Sequence, residues 1–273
     1  MKKLPIGNQH FKQFIDEDLI YVDKTPLIHK LLTEGTYYFL SRPRRFGKSL
    51  LVDTLKQILL GNQDLFKDFW IYNKIEWKKH SVIHLDFSII AYQAKGLEQA
   101  LTEELQKIGN EYDLSIRSDN CKDAFRDLIE GLSKTEKVAV LIDEYDKPIT
   151  DYITDLSKAN EHREILREFY GGLKFLGDKL RILFITGIAK FSKVSLFSVL
   201  NNLDDLTLQP TYATLTGITH KELRHYFEAH LQKVAKKLKQ PVEKVLGTYK
   251  KCMMAIHGMV SNLFTILFQS SNF

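Results

Sequence analysis

A glycine, a lysine and a serine stand in a row early in the chain, and these residue types can hold a polyphosphate. Gly47 lets the backbone approach phosphate oxygens, the Lys48 ammonium can reach the β and γ phosphates, and the Ser49 hydroxyl can ligate Mg²⁺. This chemistry needs a strand before the loop and a helix after it, because the positive helix N-terminus then faces the anion. The apolar run 37–40 and the helical spacing of apolar residues over 50–60 supply both. The stretch therefore predicts a phosphate-binding loop.

The loop departs from the usual pattern G-x-x-x-x-G-K-[ST] at its first position, where Arg42 replaces glycine. Pro43 also fixes a φ angle that glycine would leave free. The guanidinium groups of Arg42, Arg44 and Arg45 suit phosphate oxygens. The predicted nucleotide-binding residues are Arg44, Arg45, Phe46, Gly47, Lys48, Ser49 and Leu50. The alternative is a basic surface turn that happens to contain Gly-Lys-Ser.

A second motif places two acidic residues after a buried strand. Residues 138–142 are apolar and rich in β-branched types, which is typical of a parallel strand covered on both faces. Asp143 could share a metal ion with Ser49, and Glu144 could polarise an attacking water. We therefore predict a Mg²⁺ site at Ser49 and Asp143, with Lys48 and Glu144 as catalytic residues. Lys48 and the two carboxylates should converge from neighbouring strands on one magnesium-bound triphosphate, and strands that are not neighbours would count against the ATPase assignment. The alternative is a strand that ends in a solvated acidic turn.

Two further strands end in polar residues that could join this site. The apolar run 180–185 leads to Thr186, and in P-loop ATPases a polar residue here can orient the attacking water, so Thr186 is the predicted sensor. Asp86 stands near the end of another apolar run. It could support the metal shell through a water molecule, or it could be a turn residue.

The alternation of strand and helix patterns predicts an α/β chain. We predict a P-loop NTPase fold of three α/β/α layers with a mainly parallel sheet over residues 1–210. A small helical lid is predicted over residues 211–250. Thr219, followed three positions later by Glu222, has the capping pattern that begins a helix there.

Four segments, taken in order, resemble the AAA-ATPase-like family of bacterial and archaeal P-loop proteins: residues 4–7, 21–25, 41–49 and 143–148. The similarity extends to about Tyr249, and the loop is its most specific feature. The resemblance implies that the missing first glycine is a family trait and that ATP and Mg²⁺ are the cofactors. It also implies that the stretch after Thr186 is a family signature. Members usually carry a C-terminal PD-(D/E)XK nuclease domain, which we expect to be missing here.

The last residues depart from this resemblance. Family members should continue with Trp-Tyr-Asp-Gly-Tyr and, later, Tyr-Asn-Pro-Phe-Ser-Ile, but residues 251–256 and 264–270 read differently. Both segments admit codons that, in the same shifted frame, spell Met-Tyr-Asp-Gly-Tyr and Tyr-Asn-Pro-Phe-Ser-Ile. We therefore hypothesise a frameshift near Lys250 that leaves residues 251–273 as a non-native tail. Codons incompatible with those two strings would reject this hypothesis.

Composition narrows the class of protein without naming a partner. A hydrophobic fraction of 44% and a charged fraction of 27% are ordinary for a soluble globular protein. No apolar run reaches membrane-spanning length, and the two cysteines lack metal-ligand spacing, so we expect a cytoplasmic protein. The net charge of +5 is scattered, so it permits nucleic-acid contact without indicating it. An oligomer is possible.

Three other groups of residues have both a functional and a plain structural interpretation. Each could contact a nucleotide or a partner, or could simply pack or face solvent: Tyr21, Val22 and Thr25 around a base, Arg163 and Arg167 as an arginine finger, and Lys190 and Lys193 on phosphate.

The leading function is therefore Mg²⁺-dependent hydrolysis of ATP to ADP and phosphate, coupled to a conformational change. One alternative is a nucleotide-binding switch with little turnover. Another is a DNA-associated regulatory module, by analogy with relatives that carry a nuclease.

Overall fold

The computed structural model describes residues 1–188 and 202–248, and the chain forms two compact units. The larger unit contains Gly7–Asp16 and Asp23–Gly217, and the smaller unit contains Met1–Ile6, Glu17–Val22 and the residues from Ile218 onward. In the described ranges no helix is both long enough and apolar enough to cross a membrane.

The larger unit is built on a parallel sheet of five strands, which confirms the predicted α/β class. The strands lie in the order β2-β3-β4-β1-β5. Their bounds are β1 Tyr37–Ser41, β2 Val82–Asp86, β3 Val138–Asp143, β4 Leu180–Gly187 and β5 Asp204–Asp205. Every residue of β3 is buried, as expected of a central strand with helices on both faces.

Ten α-helices lie wholly within the described ranges, and residues 242–248 at the end of these ranges are also helical. Their bounds are α1 Phe11–Asp16, α2 Thr25–Glu34, α3 Lys48–Leu59, α4 Tyr92–Lys95, α5 Leu97–Glu111, α6 Cys121–Leu132, α7 Lys147–Thr150, α8 Leu156–Gly171, α9 His220–Tyr226 and α10 Glu228–Leu238.

The two faces of the sheet are covered by different helices. Val138, Val140 and Ile142 share one apolar core with α5, α6 and α8. Side chains alternate along a strand, so Asp143 belongs to the opposite face, against which α3 packs. The helix that follows the predicted loop therefore covers the face to which Asp143 belongs.

The direction of the strand connections reverses between β1 and β4, beside the predicted loop. From β1 the chain continues to β2, at the edge of the sheet beyond β4 and β3. From β4 it continues in the opposite direction to β5, at the edge beyond β1. In open α/β sheets, ligands bind beyond the carboxyl ends of two neighbouring strands whose connections diverge in this way. Ser41 pairs with Gly187 at those ends. The prediction that β1 and β3 are neighbours is wrong, because β4 forms hydrogen bonds with both and separates them.

The smaller unit contains α9 and α10. Thr219 caps α9, and the Thr219 and Glu222 side chains each bond the other residue's backbone, so the predicted capping box is confirmed. Leu223 of α9 and Leu231 of α10 form an apolar core together with Leu246. The division at residue 210 into an ATPase domain and a lid stays a prediction, and the tail 251–273 lies outside the described residues.

Candidate functional site

The loop between β1 and α3 passes through the left-handed region twice. Gly47 has φ +81 and forms the N-cap of α3, and a Cβ built there would have open space around it. Glycine is therefore favoured here by its backbone angle and not by crowding. Arg45, with φ +66, is a non-glycine residue in the same region. The N–H groups of Lys48, Ser49 and Leu50 have no helical acceptor, because the carbonyls that they would need precede α3.

Lys48 lies beneath this loop and is only 5% exposed. Its Nζ donates to the carbonyl oxygens of Arg42, at 2.9 Å, and Pro43, at 3.1 Å. Burial lowers the pKa of Lys48, and the carboxylates of Asp143 and Glu144 act in the opposite direction. Although β4 separates β1 from β3, both predicted carboxylates lie near enough to the ammonium to raise its pKa. The approach of these charges therefore does not depend on neighbouring strands.

Asp143 ends β3 and is 2% exposed. Its Oδ1 accepts hydrogen bonds from Thr186 Oγ1 and, at 3.1 Å, from the Glu144 N–H. Within residues 1–188 and 202–248 its Oδ2 accepts none, so one carboxylate oxygen remains for a ligand. The predicted role of Thr186 in orienting a water stays a prediction; the contact that the structure gives this side chain is with Asp143.

Glu144 has φ +54, which places a long side chain on left-handed backbone. Strained backbone of this kind concentrates at functional sites. Burial raises the pKa of Glu144, and the carboxylates of Asp143 and Asp86 raise it further, whereas Lys48 and Lys147 act in the opposite direction. A raised carboxyl pKa suits a group that must exchange protons with water near neutral pH.

Asp86 fits both of its sequence interpretations. Its Oδ1 accepts from the Ser88 N–H at 2.8 Å, which is a turn contact. The residue also pairs in register with Asp143, and its carboxylate lies close enough to Glu144 to raise the pKa of that group.

The residues present fit a Mg²⁺ ion that is held mainly by phosphate. In the part of the chain that the structure describes, no group of three or more His, Cys, Asp or Glu side chains could hold a metal. Protein sites for Mg²⁺ with nucleotides use one or two protein ligands, substrate phosphates and water. Asp143 Oδ2 and the half-buried Ser49 hydroxyl meet that requirement.

We expected the Arg42 guanidinium to contact phosphate, but the structure shows it bonded to backbone carbonyls. Its side chain is half-buried, and Nη1 donates to the carbonyl oxygens of Ser41, at 3.0 Å, and Thr207, at 2.7 Å. The Ser41 N–H donates to Thr207 Oγ1 at 3.1 Å. Arg42 thus fastens the start of the loop to a distant segment, and no sequence pattern indicates that contact.

Asp146 is a site residue that sequence reasoning missed, although its place in the acidic motif could have indicated it. It is 1% exposed, its Oδ2 accepts from the Ile188 N–H at 3.0 Å, and its charge raises the pKa of Lys48. Gly187 makes this contact possible, because a Cβ there would lie 2.5 Å from the Tyr145 ring and 2.7 Å from Asp146 Oδ1. Ile188 is fixed from the other side by Ser41 Oγ, which donates to its carbonyl at 2.7 Å.

The other loop residues are placed as follows. Arg44 and Arg45 are exposed, and Leu50 is half-buried. Phe46 is also half-buried, and its carbonyl accepts from the Gly217 N–H at 3.0 Å. The basic side chains of the loop therefore remain accessible to an anion from solvent.

Thr25, proposed for a base pocket, has a structural contact instead. Its Oγ1 donates to Asp23 Oδ1 at 2.6 Å and accepts from the Ile71 N–H at 3.3 Å, and the side chain is fully buried. Tyr21 and Val22 belong to the smaller unit, and their contact with a base stays a prediction.

The two candidate arginine fingers make contacts on their own helix. Arg163 donates to Asn160, and Arg167 pairs with Glu164 at 2.7 Å. These contacts are typical of a solvated helix face, and an arginine-finger role stays a prediction. Lys190 and Lys193 lie outside the described residues.

Comparison with known proteins gives two matches. A family model described as "Predicted AAA-ATPase" matches residues 5–197. A protein of Azotobacter chroococcum mcd 1, named "Uncharacterized protein in vnfD 5'region", is 39% identical over 235 residues. That alignment covers 84% of this chain and 46% of the relative, so the chain spans less than half of the relative's length. No solved structure matches the chain.

Proposed function

Because the chain belongs to the AAA-ATPase-like family, we propose that it binds ATP with Mg²⁺ at the carboxyl edge of the sheet and hydrolyses the nucleotide. The observation that carries this proposal is that the buried Lys48 ammonium lies beneath the loop, near enough to Asp143 and Glu144 for their charges to raise its pKa. Phosphoryl transfer to water needs positioned charges more than covalent chemistry, and this site offers positioned charges of both signs.

In the proposed complex, the loop and the start of α3 bind the phosphates. The N–H groups of the first helical turn face the anion. Lys48 exchanges its two carbonyl acceptors, on Arg42 and Pro43, for oxygens of the β and γ phosphates. The exposed guanidinium groups of Arg44 and Arg45 add contacts from the solvent side.

Ser49 and Asp143 would hold the metal ion, with Oδ2 of Asp143 as the acidic ligand. When bound, Mg²⁺ neutralises negative charge that develops on the phosphate oxygens. Thr186 serves as a positioning residue, because its hydroxyl fixes Oδ1 of Asp143 and thereby the direction of Oδ2.

Glu144 is the residue proposed to take a proton from water or to polarise it. Its raised pKa makes the carboxylate a stronger base than an exposed glutamate. Lys48 and Lys147 act against this rise in the pKa of Glu144.

Steady-state ATPase and nucleotide-binding measurements on four variants test the proposal. Lys48→Ala should lose ATP binding, whereas Glu144→Gln should bind ATP and hydrolyse it about 10²–10⁴-fold more slowly. The exposed Lys12→Ala and Glu130→Gln are matched controls that should behave as the wild type. Unchanged ATP binding by Lys48→Ala would overturn the proposed site.

A nucleotide switch is the second candidate, and the contacts of Ile188 favour it. The Ile188 N–H is bonded to Asp146 of the acidic motif, and its carbonyl is bonded to Ser41 at the loop entry. A nucleotide that moves either element would also move Ile188. ATP binding by the wild type with no measurable turnover would select this function. Contact with DNA and assembly into an oligomer stay predictions.

A further inference from the structure

A cavity lies at the amino-terminal edge of the sheet, opposite the proposed nucleotide site and within the larger unit. Its volume is about 570 Å³, which falls in the range of small-molecule sites. The charged and tyrosine side chains of its lining are Lys30, Glu34, Tyr37, Tyr38, Asp204 and Tyr212. They surround the amino end of β1, whereas the predicted phosphate loop begins at the carboxyl end of this strand. A strand of five residues is roughly 16 Å long, so the cavity and the loop lie about that far apart.

The tyrosines give this cavity an aromatic wall. The Tyr38 hydroxyl donates to the Leu31 carbonyl at 3.0 Å, and the Tyr212 hydroxyl donates to Glu34 Oε2 at 3.0 Å. Both phenol protons are used inside the protein and both side chains are buried, so the half-buried Tyr37 is the tyrosine of the lining that offers ring surface to a ligand. Gly35 allows Tyr38 its position, because a Cβ there would lie 2.6 Å from the Tyr38 hydroxyl oxygen.

The charged side chains of the lining are predominantly acidic. Glu34 and Asp204 face a single lysine, Lys30, whose Nζ lies 3.6 Å from Glu34 Oε1. Asp204 Oδ1 accepts from Gln209 Nε2 at 2.6 Å, and across the described ranges its Oδ2 has no hydrogen-bond donor. One carboxylate oxygen therefore remains for a donor from a ligand.

Burial and this negative charge raise the pKa of two of the tyrosine hydroxyls. Burial is the main reason that the pKa of Tyr38 rises to about 12, and Asp204 and Glu34 raise it further, against the opposing charge of Arg181. Burial and the bond to Glu34 also raise the pKa of Tyr212. The lining thus disfavours an added negative charge.

We propose that this cavity binds a small organic cation that carries a guanidinium or primary ammonium group. The faces of aromatic rings attract such cations, and a carboxylate forms a charge-assisted hydrogen bond with their N–H groups. A phosphate-bearing ligand would meet two carboxylates and would be repelled. The site is separate from the proposed nucleotide site, and neither proposal depends on the other.

Calorimetric titration of the full chain with agmatine, at low ionic strength, tests this site. The wild type should bind one equivalent of agmatine, and Asp204→Asn should weaken the affinity at least about tenfold, since a hydrogen bond to a charged group is lost. Asp64→Asn is the matched control, because Asp64 is an exposed acid outside the cavity. Its affinity for agmatine should equal that of the wild type.

Glu34→Gln gives a second test that preserves the fold, because its amide oxygen can still accept from Tyr212. This variant should also bind agmatine at least about tenfold more weakly. Lys48→Ala should retain agmatine binding even where ATP binding is lost, which separates the two sites. Absence of agmatine binding by the wild type, equal losses in Asp204→Asn and Asp64→Asn, or tighter binding of uncharged glucose would each overturn the proposal.

Discussion

Replacing Glu144 by glycine should stabilise the fold while it removes the proposed catalytic carboxylate. Glu144 has φ +54, and left-handed backbone costs a non-glycine residue about 1–2 kcal/mol. Glycine avoids this cost, although its greater freedom in the unfolded chain offsets about 0.5–1 kcal/mol. We therefore expect Glu144→Gly to exceed Glu144→Ala in free energy of unfolding by about 0.5–1 kcal/mol.

The comparison with Glu144→Ala isolates backbone strain, because both variants lack the carboxylate and differ only in the Cβ atom. Urea unfolding, followed by circular dichroism at pH 7, gives the free energies directly. For a chain of this size each kcal/mol corresponds to about 2–4 °C in Tm, so thermal unfolding should show a gap of about 1–4 °C. ATP turnover should be lost to the same extent in both variants.

Two results would count against this reasoning. If Glu144→Ala proves as stable as Glu144→Gly, the backbone at this position stores no strain. If Glu144→Gly hydrolyses ATP at the rate of the wild type, the carboxylate has no part in the reaction, whatever its effect on stability.

Three further predictions concern the same edge of the sheet. Because the pKa of Glu144 is raised, its contribution to stability is present below its ordinary pKa of 4.5 and is lost as pH rises through the raised value. In urea titrations the free energy of unfolding of Glu144→Gln should therefore rise relative to that of the wild type across this pH window. A difference in free energy that does not change with pH would contradict the raised pKa. Arg42→Ala loses two side-chain hydrogen bonds at the loop entry and should weaken ATP binding about tenfold by calorimetry, whereas Arg117→Ala, at an exposed arginine outside the site, should not. Equal affinities of Arg42→Ala and the wild type would mean that the anchor is dispensable. Gly187→Ala places a Cβ against the Tyr145 ring and should lower the free energy of unfolding by about 1–3 kcal/mol. Gly171→Ala, where a Cβ has open space, should raise it by about 0.4–1 kcal/mol. Similar urea midpoints for the two variants would refute the steric argument.

The sequence was sufficient for those parts of the site that depend on local pattern. A fully apolar run such as β3 is typical of a parallel strand buried on both faces, and the structure confirms it. The sequence also predicted that Lys48 and Asp143 would lie near the same edge of the sheet, because parallel strands in one sheet share a carboxyl edge, and the charge of Asp143 does act on Lys48. Both inferences use only the alternation of strands and helices.

The remaining features depend on contacts between distant residues. Local pattern does not specify which strand lies between two others, and β4 occupies the position between β1 and β3. The partner of Arg42 is Thr207, far along the chain, and the left-handed backbone of Glu144 carries no composition signal, because glutamate is not typical of that region. The acidic cavity combines α2, β1 and β5, which are equally far apart in sequence.

The burial of Lys48 bears on the speed and selectivity of ligand capture. Its ammonium has left bulk water during folding, and two backbone carbonyls hold it in place. A phosphate that arrives at the proposed site would therefore meet a preorganised donor, and little solvent would have to be rearranged. The same shielding should make Lys48 one of the slowest amines in the chain to react with water-soluble acylating reagents. Its labelling rate would then report, residue by residue, on whether the loop has opened.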